Sequence, residues 1–74
     1  MSSLKDQLIE EVSAALPESE IEVISSDDVH FYMTVTWPGF KGQSMLEQHR
    51  QVYDALSTHL KETVHALSLH TRAG

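Results

Sequence analysis

The chain has 74 residues, of which 41% are hydrophobic, and it contains no cysteine. A chain of this length forms one small domain, predicted here over residues 1–74, with a core too small for an elaborate active-site cleft. Because cysteine is absent, disulfides, thiol nucleophiles and cysteine-based metal sites are excluded unless a partner supplies the thiolates.

The negative charge is concentrated in the first half of the chain. Residues 1–37 carry eight acidic residues and one lysine, a net charge of −7, whereas residues 38–74 have a net charge of +1. An acidic half repels phosphates, so general affinity for nucleic acid is disfavoured. The chain shows neither a signal-peptide pattern nor the run of about 20 apolar residues that spans a membrane, so a cytoplasmic location is expected.

The first half predicts one helix and two strands. Ser3 is a suitable N-cap for a helix whose apolar residues recur every three or four positions and which ends at Pro17. Residues 20–25 predict a short strand, and residues 25–28 have the composition of a tight turn. The second strand, over residues 30–37, is clearer because apolar and polar residues alternate. Its apolar residues are Phe31, Met33, Val35 and Trp37.

The second half predicts one long helix and a last strand. Pro38 ends the second strand, and Ser44 followed by Glu47 has the form of a capping box, opening a helix that continues to residues 61–63. Residues 64–71 alternate as a strand. The fold class is therefore α+β, in the order α-β-β-α-β, with two helices on one side of a three-stranded mixed sheet. The predicted buried stripe of the second helix is Leu46, His49, Tyr53, Leu56 and Leu60.

The chain contains five histidines, so metal binding has to be considered. Geometry excludes most pairs of them as ligands of the same ion. His65 and His70 point to opposite faces of a strand because an odd number of positions separates them. His49 and His59 are separated by about 15 Å of helical rise. His30 and His65 each begin a strand, and their approach depends on a strand order that the sequence leaves open.

Three segments of the second half carry a resemblance to a known family. They are Phe40-Lys41-Gly42-Gln43-Ser44, the run from Leu46 to Tyr53 that contains His49-Arg50, and the strand Val64-His65-Ala66-Leu67-Ser68-Leu69-His70-Thr71. Their order and spacing resemble the motifs of BolA-like proteins. The resemblance implies a fold similar to class II KH domains and an accessory role for monothiol glutaredoxins and iron–sulfur clusters.

The resemblance implies that His65 is a ligand of a 2Fe-2S cluster shared with the cysteine of a monothiol glutaredoxin and with glutathione. A neutral imidazole can replace a thiolate on one iron of such a cluster. Many members carry a second ligand in a long loop between the first two strands, whereas here residues 25–29 form a short one. His30 is the nearest substitute and is equally compatible with a structural role, while Asp27 or Asp28 would offer oxygen, a poor match for this cluster.

The expected partner-binding residues are Lys41, Arg50, His65 and His70. The implied roles are cluster trafficking, cluster assembly or iron sensing. Most members continue past the last strand into a Thr-Pro-x-x-Trp segment that this chain lacks, which predicts a smaller partner surface. The sequence leaves open whether the free protein forms a homodimer.

A nucleic-acid-binding regulator is the alternative function, because some BolA-like proteins are described as transcriptional regulators. Its candidate residues are Gly39, Lys41, Gly42 and Arg50. The Gly-x-x-Gly pattern is the loop by which KH domains clamp a nucleic-acid backbone. Here it joins a strand to a helix, and a turn in which Phe40 packs and glycine relieves the backbone is the favoured interpretation.

An enzymatic role is not expected. Ser68 and His70 share one strand face, but the pattern offers no third orienting group and no oxyanion site.

Overall fold

The computed structural model describes residues 3–27, 29–63 and 66–74. Among the described helices none is long and apolar enough to cross a membrane. In chain order the elements are α1 (Leu4–Ala15), β1 (Glu20–Ile24), β2 (His30–Thr36), a 3-10 helix (Pro38–Phe40), α2 (Met45–Ala55), α3 (Thr58–Thr63) and β3 (Ala66–Arg72).

The three strands form a mixed sheet in the order β1-β2-β3. β1 pairs antiparallel with β2, so that Glu20 lies opposite Thr36. β3 pairs parallel with β2, so that Ala66 lies opposite His30 and Arg72 opposite Thr36. The α+β class and the mixed sheet are thereby confirmed, while the similarity to class II KH domains stays a prediction.

One face of the sheet packs against the helices and the other is open. The core combines alternate residues of the strands with residues of all three helices. The predicted alternation of β2 is confirmed, because Phe31, Met33 and Val35 are buried while His30 and Tyr32 are exposed. The buried apolar side chains are Leu8, Val12, Leu16, Val23, Phe31, Met33, Val35, Phe40, Val52, Leu56, Leu60 and Leu69.

Both predicted helix caps are present. The Ser3 hydroxyl accepts a hydrogen bond from the Asp6 N–H at 3.1 Å, and the Ser44 hydroxyl accepts one from the Glu47 N–H at 3.2 Å. Each serine satisfies a donor that the first turn of a helix leaves without a partner.

The single long helix predicted from residue 44 to residues 61–63 is wrong, because the structure divides it into α2 and α3. Leu56 has extended backbone angles, φ −86° and ψ 139°, and ends α2. Ser57 then starts α3, where its hydroxyl accepts from the Leu60 N–H at 3.2 Å. The Glu11 carboxylate of α1 accepts the Ser57 N–H at 2.6 Å. Capping and this contact with α1 together stabilise a new helix start.

The predicted buried stripe of the second helix is also partly wrong. Leu46 and Tyr53 are 68% and 37% exposed, whereas Gln48 and Val52 are buried in α2. Burial of a glutamine is tolerated because its amide has partners. The Thr71 hydroxyl donates to Gln48 Oε1 at 2.7 Å, and Gln48 Nε2 donates to a backbone carbonyl at 3.0 Å.

Candidate functional site: the turn between β1 and β2

Asp27 organises the turn that leads into β2. One of its carboxylate oxygens accepts the backbone N–H groups of Val29 at 3.0 Å and His30 at 2.8 Å. The other oxygen lies 2.8 Å from Nδ1 of the His30 ring. A short aspartate side chain that bonds the backbone two and three residues ahead is a common way to close such a turn.

The same contacts stabilise the charged form of Asp27. The hydrogen bond from the His30 side chain, followed by those from the backbone N–H groups of His30 and Val29, holds the pKa of Asp27 well below its usual range. Hydrogen bonds to the charged form favour ionisation. Asp27 is therefore a carboxylate near neutral pH.

The Asp27 carboxylate leaves one nitrogen of His30 available for a ligand. An ionised carboxylate only accepts, so Nδ1 of His30 carries the proton of that hydrogen bond, and Nε2 of the neutral ring is left with its lone pair. The His30 side chain is 64% exposed. Histidines that bind metals typically donate their second ring nitrogen to a carboxylate or carbonyl, which fixes the ring and increases its basicity. His30 has this arrangement.

His65, the principal predicted ligand, lies outside the described residues. The next residue along the chain, Ala66, is described and lies directly opposite His30 in the parallel pair of β2 and β3. The strand order that the sequence left open thus places the starts of these two strands side by side.

A complete metal site is not formed by the described part of the chain, in which no group of three or more histidine, cysteine or acidic side chains could hold an ion. His30 fits the role of a single ligand with an orienting carboxylate. Of the two aspartates suggested as oxygen donors, Asp27 uses both of its oxygens within the turn, and Asp28 lies outside the described residues.

Exposed apolar side chains lie near His30 in the chain and in the strand register. Ile24, Val29 and Tyr32 are 56%, 55% and 55% exposed. Ile24 and Tyr32 are partners in the β1–β2 register, and Val29 precedes His30 in the chain. We call these three residues the turn patch. The alternation of β2 assigns Tyr32 to the open face of the sheet, but no pattern in the sequence singles out the three residues together.

The other predicted partner-binding residues do not join this site. His70 is exposed on β3 opposite Thr34, about 13 Å along the sheet from the position of His30. Lys41 follows the 3-10 helix beyond the far end of β2, and Arg50 is exposed on α2. The structure therefore groups Asp27, His30 and the turn patch.

The Gly-x-x-Gly segment has a clear structural role. Phe40 is fully buried, and its ring meets that of Trp37 edge-on with centroids 5.2 Å apart. A Cβ atom on Gly39 would lie 2.5 Å from the Trp37 ring, and Gly42 has a φ of +85° that favours glycine. The two glycines thus serve packing and turn formation, while a nucleic-acid role for this segment stays a prediction.

Comparison with known proteins places the chain in a family. The family model described as BolA-like protein matches residues 4–74. The chain belongs to the BolA-like family. A curated BolA-like relative, the DNA-binding transcriptional regulator BolA of Escherichia coli (strain K12), is 30% identical over 77 residues, which cover 92% of this chain and 73% of that protein.

Solved BolA-like structures share the fold. A bolA protein homologue from Coxiella burnetii is 35% identical, with a TM-score of 0.78 over 99% of this chain and 92% of the other. The BolA domain of SufE1 from Arabidopsis thaliana is 28% identical, with a TM-score of 0.81 over 99% and 94% of the two chains. The arrangement of helices and sheet is therefore that of the BolA-like family.

Proposed function

We propose that this BolA-like protein is an accessory protein that binds a monothiol glutaredoxin and shares a 2Fe-2S cluster with it. The observation that carries the proposal is the Asp27–His30 pair, which presents an exposed, oriented imidazole nitrogen beside Ala66, the residue that follows His65. In this proposal His65 and His30 are the histidine ligands that the chain contributes.

The chemistry of the chain agrees with such sharing. Because the chain contains no cysteine, the thiolates must come from the glutaredoxin cysteine and from glutathione. Histidine in place of thiolate raises the reduction potential of a 2Fe-2S cluster. Asp27 would fix the tautomer of His30 that carries its proton on Nδ1 and would hold the orientation of the ring.

The turn patch supports docking at this position. Three half-exposed apolar side chains beside the proposed ligand, Ile24, Val29 and Tyr32, could be covered when a partner approaches His30. The role that follows is cluster trafficking, cluster assembly or iron sensing, with no substrate turned over by this chain. Its cytoplasmic place of action and homodimer formation stay predictions.

The test is a titration of cluster-loaded monothiol glutaredoxin with this protein, followed by visible absorption and circular dichroism. The spectrum should change and saturate near a one-to-one ratio. The His65→Ala variant should abolish the change and His30→Ala should weaken it, whereas His59→Ala, which removes an exposed histidine of α3, should leave it intact. An unchanged spectrum with the wild-type protein would refute the proposal.

Regulation through nucleic acid is the second candidate, favoured by the name of the Escherichia coli relative. The surface argues against it, since Arg50 has Glu47 and Asp54 one helical turn away on either side. Fluorescence anisotropy with labelled duplex DNA should show no saturable binding at micromolar protein and about 0.15 M salt. Saturable binding that weakens in Lys41→Gln and Arg50→Gln would instead favour this candidate.

A further inference from the structure

A cleft lies on the open face of the sheet, at the end remote from His30. It has a volume of about 480 Å³, within the range of small-molecule sites. Thr36, at its centre, is six residues along β2 from His30, a distance of about 20 Å. The cleft is lined by Glu18, Glu20, Thr36, Pro38, Arg72, Ala73 and Gly74.

The two sides of the cleft carry opposite charges. In the strand register Glu20 of β1 and Arg72 of β3 both lie beside Thr36 of the central strand, one on each side. Glu22 and His70 flank Thr34 in the same way, and a smaller cavity of about 160 Å³ continues the cleft towards that row. The floor is therefore made of small hydroxyl side chains between an acidic wall, which includes Glu20 and Glu22, and a basic wall that consists of Arg72.

The opposite charges do not neutralise each other directly. Glu20 and Arg72 are two strands apart, about 10 Å between backbones. Among the residues that the structure describes, neither side chain forms an ion pair, and Glu18 at the rim forms none either. A molecule with opposite charges at its two ends would pair with both walls in place of water.

The guanidinium of Arg72 is already oriented. Its Nε donates to the Thr36 hydroxyl at 2.9 Å, which leaves the two terminal nitrogens for a carboxylate. Gly74 lies at the side of the cleft, near the methyl group of Thr36.

We propose that this cleft binds a small zwitterionic peptide, with the peptide carboxylate on Arg72 and its ammonium group on Glu20 and Glu18. The strand spacing favours a ligand of two or three residues, whose end groups are far enough apart to reach both walls. The proposal is independent of the glutaredoxin partnership, because the cleft and His30 lie at opposite ends of β2.

The test uses triglycine as the probe and backbone amide NMR shifts of the full chain as the readout. Triglycine should shift the amides of Thr36, Arg72 and Gly74 in a saturable way. N-acetyl-triglycine, which lacks the ammonium group, and triglycine amide, which lacks the carboxylate, should each bind about tenfold more weakly because a charge-assisted hydrogen bond is lost. Equal binding of all three would overturn the proposal, as would the absence of saturable shifts with triglycine.

Substitutions that remove single charges test where triglycine binds. Arg72→Gln and Glu20→Gln should each weaken triglycine binding about tenfold. Lys61→Gln and Glu62→Gln, on exposed positions of α3, make the same changes in net charge away from the cleft and should bind as the wild type does. Far-UV circular dichroism checks that each variant is folded. Unaltered binding by folded Arg72→Gln would refute the assigned site.

Discussion

At the scale of single residues, the pairing of Asp27 with His30 can be tested through the pKa of Asp27. The His30 side chain, together with two backbone N–H groups, holds the pKa of Asp27 well below its usual range. Carboxyl-carbon NMR should therefore show Asp27 titrating well below the ordinary value of about 3.9. His30→Ala should raise the midpoint only part of the way, because the backbone donors remain. A midpoint that does not respond to His30→Ala would contradict the pairing.

The lowered pKa of Asp27 also fixes the sign of a pH effect on stability. Ionised Asp27 favours the folded state above about pH 3.9, and this contribution is lost as the pH falls from there towards the lowered folded-state pKa. Urea unfolding of Asp27→Asn should show a deficit relative to the wild type at neutral pH that shrinks in acid. A deficit of constant size across the pH range would be inconsistent with this assignment.

At single residues, some features of the site could be predicted from the sequence and others could not. His30 could be selected from its position at the start of an alternating strand. The hydrogen bond between His30 and Asp27 could not be predicted. A contact between residues three positions apart in a turn depends on backbone angles that composition does not determine. Gln48 was missed for a related reason, since its burial depends on Thr71, which is 23 positions away in the chain.

At the scale of elements, Ser57 is the residue that separates α3 from α2. Its hydroxyl caps α3 through the Leu60 N–H. Ser57→Ala should therefore lower the free energy of unfolding by about 1 kcal/mol, measured by urea denaturation. Ser68→Ala, on the open face of β3, is the matched control and should change stability by less than about 0.5 kcal/mol. Equal effects of the two substitutions would exclude a capping role for Ser57.

The strands were more predictable than the second helix. Alternation along β2 directly reports which face is buried, and the structure follows it. In the second helix, apolar residues recur at helical spacing across the break at Leu56, so the pattern alone predicts one continuous helix. The break depends on the carboxylate of Glu11, which α1 brings to Ser57 from 46 positions away.

At the scale of the whole molecule, the Gln48–Thr71 hydrogen bond connects α2 of the helical layer to β3 of the sheet. Thr71→Val removes the donor and leaves a buried amide oxygen without its partner, so it should cost about 1–3 kcal/mol of unfolding free energy. In a double-mutant cycle with Gln48→Met, the two changes should be coupled by about 0.5–3 kcal/mol. Strict additivity in urea unfolding would show that the bond makes no net contribution.

The position of the candidate site is likewise a property of the whole fold. The sequence supplied the family resemblance and the two histidines, but not the strand order. With β2 in the centre and β3 parallel to it, Ala66 lies opposite His30. The same topology creates the cleft around Thr36, because the pairing of β2 with β1 and with β3 places Glu20 and Arg72 on either side of Thr36.

Pulsed electron paramagnetic resonance of the reduced shared cluster tests the central claim most directly. This protein, labelled with ¹⁵N-histidine, would be combined with an unlabelled cluster-loaded monothiol glutaredoxin. We predict a strong ¹⁵N hyperfine coupling that disappears in His65→Ala, changes in His30→Ala and persists in His59→Ala. A reduced cluster bound in the complex without ¹⁵N coupling would contradict histidine ligation by this chain.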